Sequence, residues 1–525
     1  MKEYFVKNRV AVILIGILIL AGFLRFYNLG EKSFSADEFL GVNTAYGYLQ
    51  TGEWRRWDFN WERPFEDNVY FKTFFDFDFW GDGEDTYTRA WVYNWQVAQS
   101  LRFLPDSQEW SYRTVGVLWG ILAVFIIYWV TLRFTKNKVI ALLAAFLLAF
   151  SLDGIEFSRR MRMYIVFMPV FLLLAYAAFN FFESRKLPRQ KWLKFLNEKT
   201  KLNFIYFPLL SFLGLLSMHL HLLTANFVFV ALVYFLVLAA VEWKKTKSFY
   251  NHYSFYSALA IFLAIIFFVQ GNALTASLSW QKHFSYLNNS FFDYANWFLA
   301  GALLLLGAFY LIKEKTKAGI FIFLNYAVIL FLAVFLWDRN VGAQYLFFIK
   351  PFQIILIATG IWRVADFLRE NAKAYSRETY LAAMGIILAL LINFGYFFQE
   401  ENAYRQTSRS ENPDYKKVFG YVLNHRNTGD VLITRAFRNF YWQGAGIEVY
   451  SMGGERAEEG EKKITLNRLK EIIAVNPSGW IVYSDNDENF ISKEAQKYMD
   501  KNLTKINNLQ VRGPISVYHW GENKK

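Results

Sequence analysis

Along the first 400 positions, apolar residues run in blocks of about 20 separated by polar stretches, alternate ones of which are rich in Lys and Arg. A block of that length crosses the roughly 30 Å of bilayer hydrocarbon as one helix. Eleven such spans are predicted, over about 10–29, 113–132, 138–153, 163–182, 203–220, 222–241, 255–272, 295–312, 318–337, 346–364 and 379–398. The first run, VAVILIGILILAGFL, has no small-residue cleavage site and leads straight into a polar motif, so it reads as an anchor and not as a removable signal. Basic residues crowd alternate junctions: Lys2, Lys7 and Arg9; Arg133, Lys136 and Lys138; the run from Arg185 to Lys201; Lys244, Lys245 and Lys247; Lys313, Lys315 and Lys317; Arg363, Arg369, Lys373 and Arg377. Under the positive-inside rule these agree only with a cytoplasmic N-terminus. An odd number of spans then carries the C-terminus outside.

Two water-facing segments fall outside this periodicity. The first outside loop, about 30–112, is far longer than a hairpin needs. The tail, about 400–525, alternates strand-like runs (DVLIT, IEVYSM, GWIVYS, ISVYHW) with helix-like ones (YKKVFGYVLNH, TLNRLKEIIA, SKEAQKYMDKNL). That alternation predicts a small α/β domain. The expected fold class is thus an α-helical polytopic membrane protein with a C-terminal extracytoplasmic α/β domain. Its expected domains are a transmembrane domain over 1–399 and the α/β domain over 400–525.

Composition sharpens this. Of 525 residues, 55% are hydrophobic and only 19% charged, against about 25% charged in soluble domains. A coiled coil, a disordered chain and an ordinary soluble enzyme are excluded. The net charge of +13 is mostly a membrane-orientation signal. Residues 400–525 hold 19 basic and 17 acidic residues, a net of +2, and nothing points to nucleic acid. With no Cys, disulfides, thiolate nucleophiles and Cys zinc sites are impossible. No glycine-rich phosphate loop precedes a helix, which argues against a nucleotide-driven pump.

The candidate chemistry gathers at the outer ends of the spans. In SFSADEF, Asp37 and Glu38 lie just beyond the first span, where paired carboxylates can accept a proton, bind a cation or sit in water. Arg113 opens the second span against the basic-inside bias; it can snorkel to headgroups or pin the long loop through a carboxylate. The turn SLDGIEFSRRMRMY packs Asp153, Glu156, Arg159, Arg160 and Arg162. Three outside Arg contradict the orientation rule unless an anion is bound, and the guanidinium fork suits phosphate. His219 and His221, two positions apart, cannot share one helical face; a metal ligand and a hydrogen-bonded interfacial His are both open readings. DRNVGAQYLFFIKP brings Arg339 and Lys350 to the same membrane face, as phosphate ligands or headgroup anchors.

Four stretches carry a resemblance: LRFYNLGEKSFSADEF (24–39), EWSYRTVGVLWG (109–120), IEFSRRMRMY (155–164) and YLFFIKPFQIILIATGI (345–361). In order and placement they resemble the GT-C membrane glycosyltransferases, above all the protein O-mannosyltransferase and aminoarabinose-transferase families that use polyprenyl-phosphate sugars. The resemblance covers most of residues 1–365. It implies an inverting transfer from a polyprenyl-phosphate-linked sugar to a hydroxyl of an acceptor protein, glycolipid or cell-wall glycan at the outer face of the plasma membrane. It implies Asp37 as the base that deprotonates the acceptor, with Glu38 beside it. It implies a donor-phosphate site drawn from Arg113, Arg159, Arg162, Tyr164, Arg339, Tyr345 and Lys350. In some members a divalent cation (Mg, Mn or Zn) is held by outer-loop carboxylates or His, here Asp153, Glu156, His219 and His221. The mannosyltransferases have Asp where Tyr164 stands, and many bacterial relatives have Arg where Gln344 stands. The acidic, aromatic segment 54–85 has no counterpart in the family pattern. A multispan transporter or flippase of lipid-linked sugars, and a polymer ligase, are the alternatives. Transporters carry polar residues near the bilayer midplane, whereas here charge gathers at the outer mouth.

Overall fold

A computed structural model describes residues 8–65, 90–184, 186, 188–248, 251–270, 280–338, 341–372, 376–407, 413–452, 463–507, 509 and 514–521. The chain forms two compact units. One comprises 1–27, 77–93 and 114–397; the other comprises 28–76, 94–113 and 398–525. The expected long first loop thus belongs largely to the same unit as the tail.

The first unit is helical, and the chain is a multi-pass membrane protein. Among the described residues seven helices are long and apolar enough to cross a bilayer: Arg9–Phe26, Glu109–Thr135, Tyr164–Glu183, Leu222–Thr246, Trp297–Glu314, Thr316–Phe335 and Phe347–Asn371. Two bent pairs, Lys138–Phe150 with Leu152–Ser158 and Lys191–Thr200 with Phe204–Leu220, raise the number to nine if each is one span. The other two expected spans fall on the helices His252–Gln270 and Ser376–Leu391, so the count of eleven is not confirmed.

Burial separates the rim of this unit from its centre. The Arg9–Phe26 helix is 22% buried and turns Ile13, Ile15, Ile19 and Phe23 outward, whereas Phe347–Asn371 is 83% buried. Lipid rewards burial of apolar surface little, so close backbone packing must hold the central helix. Gly360 and Gly307 supply it. A Cβ on Gly360 would stand 2.8 Å from the Leu303 carbonyl carbon, and one on Gly307 would stand 2.9 Å from the Gly360 nitrogen. A Gly360→Leu variant is therefore expected to push the two helices apart and lose about 1–3 kcal/mol. Thermal unfolding in detergent reads this; an unchanged midpoint would show that the contact carries no stability.

The first bent pair breaks at Ser151. Its hydroxyl accepts from the Gly154 amide at 3.0 Å and donates to Asp293 Oδ2 at 2.7 Å, which opens a new helical start and turns the chain by 58°. Two buried arginines tie the break to the first span. Arg25 donates to the Leu148 and Ala149 carbonyls, both at 3.1 Å, at the C-terminal end of one helix. Arg159 donates to the carbonyls of Arg25 at 2.9 Å and Tyr27 at 2.5 Å, at the end of the other. Each arginine therefore satisfies carbonyls that the partner helix leaves open, where its positive charge also suits the helix dipole.

Among the described residues the second unit holds a five-stranded sheet. Its strands are β3 (Val431–Thr434), β4 (Glu448–Ser451), β5 (Gly479–Ser484), β6 (Thr504–Lys505) and β7 (Ile515–Trp520); β1 (Trp57–Asp58) and β2 (Arg63–Pro64) form a separate antiparallel hairpin. Strand β3 runs parallel to β4 and β5, while β7 runs antiparallel to β5 and β6. Strands β3 and β5 are buried along their whole length, as their continuous apolar runs require. The helices Tyr415–His425, Leu466–Val475 and Lys493–Asn502 complete the α/β pattern.

Residues of the first loop are built into this unit. Asn43 donates to the Phe437 carbonyl at 3.3 Å and to Asn439 Oδ1 at 3.2 Å, and Asn439 donates in turn to Asp58 at 3.2 Å. Asn60 donates to the Ile447 carbonyl at 2.8 Å. Phe34, wholly buried, packs edge-on against Phe39, Tyr112 and Phe440.

Candidate functional site

In the second unit the SFSADEF motif opens the Ala36–Thr51 helix. Ser35 is its N-cap, and a capping box joins Ser35 to Glu38 three residues on. Glu38 Oε2 accepts from the Ser35 amide at 2.9 Å. The same carboxylate takes a two-pronged pair from Arg113, Nε to Oε1 at 2.9 Å and Nη2 to Oε2 at 3.0 Å. Arg113 also donates to the carbonyls of Leu29 at 3.1 Å, Lys32 at 2.8 Å and Ser33 at 3.1 Å, and lies 5.1 Å over the Phe34 ring. Both side chains are almost fully buried, at 3% and 2% exposure. Arg113 thus pins the loop through a carboxylate, one of the two structural readings open from its position.

This rigid turn sets Asp37 on the first turn of the helix, on its exposed face. Behind it the Tyr441 hydroxyl accepts from the Phe34 amide at 2.8 Å. Burial holds the Tyr441 phenol well above its ordinary pKa. At the far end of the helix Tyr46 donates to Asp106 at 2.9 Å, and burial, with the Asp106 carboxylate, pushes its pKa to about 12.

In the first unit the arginine-rich turn splits into separate roles. Arg159 caps the first span, as described. Arg160 pairs with Glu156 one helical turn back. Arg162 instead lies 5.6 Å over the ring of Tyr164, which starts the Tyr164–Glu183 helix. Around Tyr164 the fold gathers other expected residues. Its ring centre is 5.7 Å from His221 and 6.2 Å from Tyr345, and His221 and Tyr345 are 6.4 Å apart. Phe167 stacks on His221 at 5.4 Å. Arg162, Tyr164, His221 and Tyr345, distant in sequence, form one polar-tipped aromatic cluster.

Lys350 belongs to a different group. Its ammonium is 3.0 Å from Asp153 and 3.2 Å from Asp293, and donates to the Ser290 carbonyl at 3.0 Å. All three ionisable side chains are buried. Asp293 is fixed further by Ser151 and by the Asp153 amide at 3.0 Å. Gln353 donates to Ser290 and Tyr326, and a small cavity of about 10 Å³ lies beside them. Asp293 is absent from the expected set. Its one signal was a charge just ahead of the 295–312 span, with no motif around it.

The four residues expected to hold a cation do not assemble. Asp153 is engaged by Lys350 and Glu156 by Arg160. His219 Nδ1 accepts from the Trp91 indole at 3.0 Å, and His221 Nδ1 accepts from the Leu223 amide at 3.1 Å. Among the described residues no group of three His, Asp or Glu side chains can hold a metal ion. Arg339 and most of the acidic aromatic segment, from residue 66 on, lie outside the described residues. Of that segment's start, Trp54 stacks on Tyr48 at 4.4 Å and is buried.

The architecture matches solved membrane proteins. ArnT of Cupriavidus metallidurans, solved bound to undecaprenyl phosphate, matches with a TM-score of 0.54 at 10% identity, over 98% of this chain and 98% of that one. Archaeal oligosaccharyltransferase AglB from Archaeoglobus fulgidus, solved with an inhibitory peptide and a dolichol-phosphate, matches with 0.58 at 11% identity, over 99% and 75%. The Archaeoglobus fulgidus oligosaccharyltransferase solved with Zn and sulfate gives 0.54 at 12% identity, over 89% and 67%. No protein-family model matches the sequence, and no curated protein does. At these identities the likeness shows the fold alone, one this chain shares with ArnT and AglB.

Proposed function

We propose that the chain is an integral-membrane glycosyltransferase that moves a sugar, with inversion, from a polyprenyl-phosphate donor to an acceptor hydroxyl at the outer face of the membrane. The observation that carries the reading is the fold likeness to ArnT along nearly the whole of both chains, that protein having been solved with undecaprenyl phosphate. The cluster of Arg162, Tyr164, His221 and Tyr345 supports it from within this chain, as a set of donors suited to a phosphate.

In the reaction the acceptor oxygen attacks the anomeric carbon from the face opposite the carrier. The carbon–oxygen bond to the phosphate breaks, and the polyprenyl phosphate leaves with that electron pair. The phosphate is a good leaving group, so one base suffices. Asp37 takes the acceptor proton, a role worth about 10²–10⁴-fold. Glu38 and Arg113 hold the turn that carries Asp37, and Arg162 and the two tyrosines bind the departing phosphate. The cation donor set does not fit, and no step is routed through a metal. The acceptor class stays protein, glycolipid or cell-wall glycan. The orientation rests on the Lys and Arg asymmetry; protease added to intact spheroplasts should trim the chain after about residue 400.

Donor binding tests the reading. Purified protein should carry a polyprenyl-phosphate sugar detectable by intact-lipid mass spectrometry. Arg162→Ala should weaken that donor roughly 10- to 150-fold, the equivalent of losing about 1.5–3 kcal/mol of charge-assisted bonding. Arg162→Lys should recover only part, because the planar fork is lost. Transfer by Arg162→Ala with unchanged donor dependence would remove this cluster as the phosphate site.

A further inference from the structure

The two histidines are each fixed in one protonation form by a donor that cannot reverse. Trp91 offers an indole N–H and no acceptor, so the Nδ1 it addresses on His219 must present a lone pair. The Leu223 backbone N–H makes the same demand of His221 Nδ1, where the ring caps the short turn Leu222–Asn226. A neutral imidazole whose Nδ1 accepts carries its proton on Nε2. To ligate a metal, Nε2 would have to give up that proton to Nδ1, and Nδ1–H would then face a second N–H. Both rings are therefore set as Nε2 donors.

Their exposure divides them. His219 is 2% exposed, and its ring packs on Trp91. His221 is only partly buried and its ring stands among Tyr164, Tyr345 and Phe167, with Arg162 lying over the Tyr164 ring. From this geometry we infer that His221 donates its Nε2–H to the phosphate monoester released by transfer, acting as a phosphate-binding residue and not as a metal ligand. The inference rests on the donor-phosphate reading of this cluster. Chemically the group recognised is a phosphate with at least one unesterified oxygen; the cluster's aromatic rings favour one that carries a hydrocarbon chain over the free ion.

Two substitutions separate the nitrogens. Asn places an acceptor where Nδ1 was, and is itself a favoured cap, but reaches no further. Gln places an amide N–H near the Nε2 position but gives up the cap acceptor. Binding of undecaprenyl phosphate to the purified full-length protein in nanodiscs is measured, with undecaprenol and inorganic phosphate as controls and thermal unfolding recorded for each variant.

His221→Asn should keep its unfolding midpoint and lose about ten-fold or more in affinity for undecaprenyl phosphate. His221→Gln should unfold earlier yet bind more tightly than the Asn variant. Neither EDTA nor added Zn²⁺ should change wild-type affinity. Undecaprenol should bind the wild type and the Asn variant alike, and inorganic phosphate should bind more weakly than the lipid. Tight binding by His221→Asn would reduce His221 to a helix cap, and a Zn²⁺-dependent affinity lost in both variants would make it a ligand; either result overturns the inference while leaving the donor reading intact. If the wild type fails to distinguish undecaprenyl phosphate from undecaprenol, the donor-phosphate reading itself falls, and the inference with it.

Discussion

Asp37→Asn is expected to fold, insert and bind donor, yet to lose turnover by about 10²-fold or more in a single-turnover transfer assay. The asparagine keeps the size of the side chain but cannot take a proton from the acceptor hydroxyl. The two carboxylates of this motif differ in burial. Glu38, the adjacent carboxylate, is buried beneath two bonds from Arg113 and one from the Ser35 amide, whereas Asp37 faces outward. Glu38→Gln should therefore act through stability: it leaves a buried guanidinium short of its counter-charge, a loss typically of about 3–5 kcal/mol. Donor affinity must be measured beside the rate. Near-normal transfer by Asp37→Asn would remove it as the base. Weakened donor binding with an unchanged chemical step would make it a binding residue instead.

That division between neighbours was not legible in the sequence. SFSADEF announces two acids just beyond a span. Which acid is buried depends on Arg113, 75 residues away, and long-range pairing leaves no periodic trace. Periodicity did reveal what repeats. The apolar blocks fell on helices, and every strand-like run named in the tail became a strand; only β6, two residues long, gave no pattern to read.

The arginine turn shows the same limit in another form. Three outside Arg implied an anion, but Arg159 spends a guanidinium nitrogen on helix-end carbonyls and Arg160 pairs with Glu156. A helix terminus and a phosphate both present oxygens to an arginine, so composition cannot tell them apart. The grouping of the first loop with the tail was equally hidden. It runs through asparagines such as Asn43 and Asn439, whose amides satisfy buried groups one by one and mark no sequence motif.

Lys350→Met is expected to give a large loss of stability. Among the described residues Lys350 is the cation paired with both Asp153 and Asp293, and all three are buried. Removing it leaves two acids facing each other without a counter-charge, at a cost of about 3–5 kcal/mol. The loss should be read as a lowered unfolding midpoint in detergent, with Asp293→Asn alone giving a smaller drop because Asp153 still balances the ammonium. Replacing the whole group, Lys350→Met with Asp153→Asn and Asp293→Asn, should recover much of the stability, since a fully neutralised network no longer carries an unpaired charge. The same series decides between two roles for this lysine. A headgroup or phosphate ligand would tolerate loss of its charge in the fold and show the defect in donor affinity. A structural counter-ion shows the reverse. Lys350→Met with a wild-type unfolding midpoint and a weakened donor would return Lys350 to the phosphate site. A low midpoint rescued by neutralising both acids would fix it as the ion that joins the Phe347–Asn371 span to the break at Ser151.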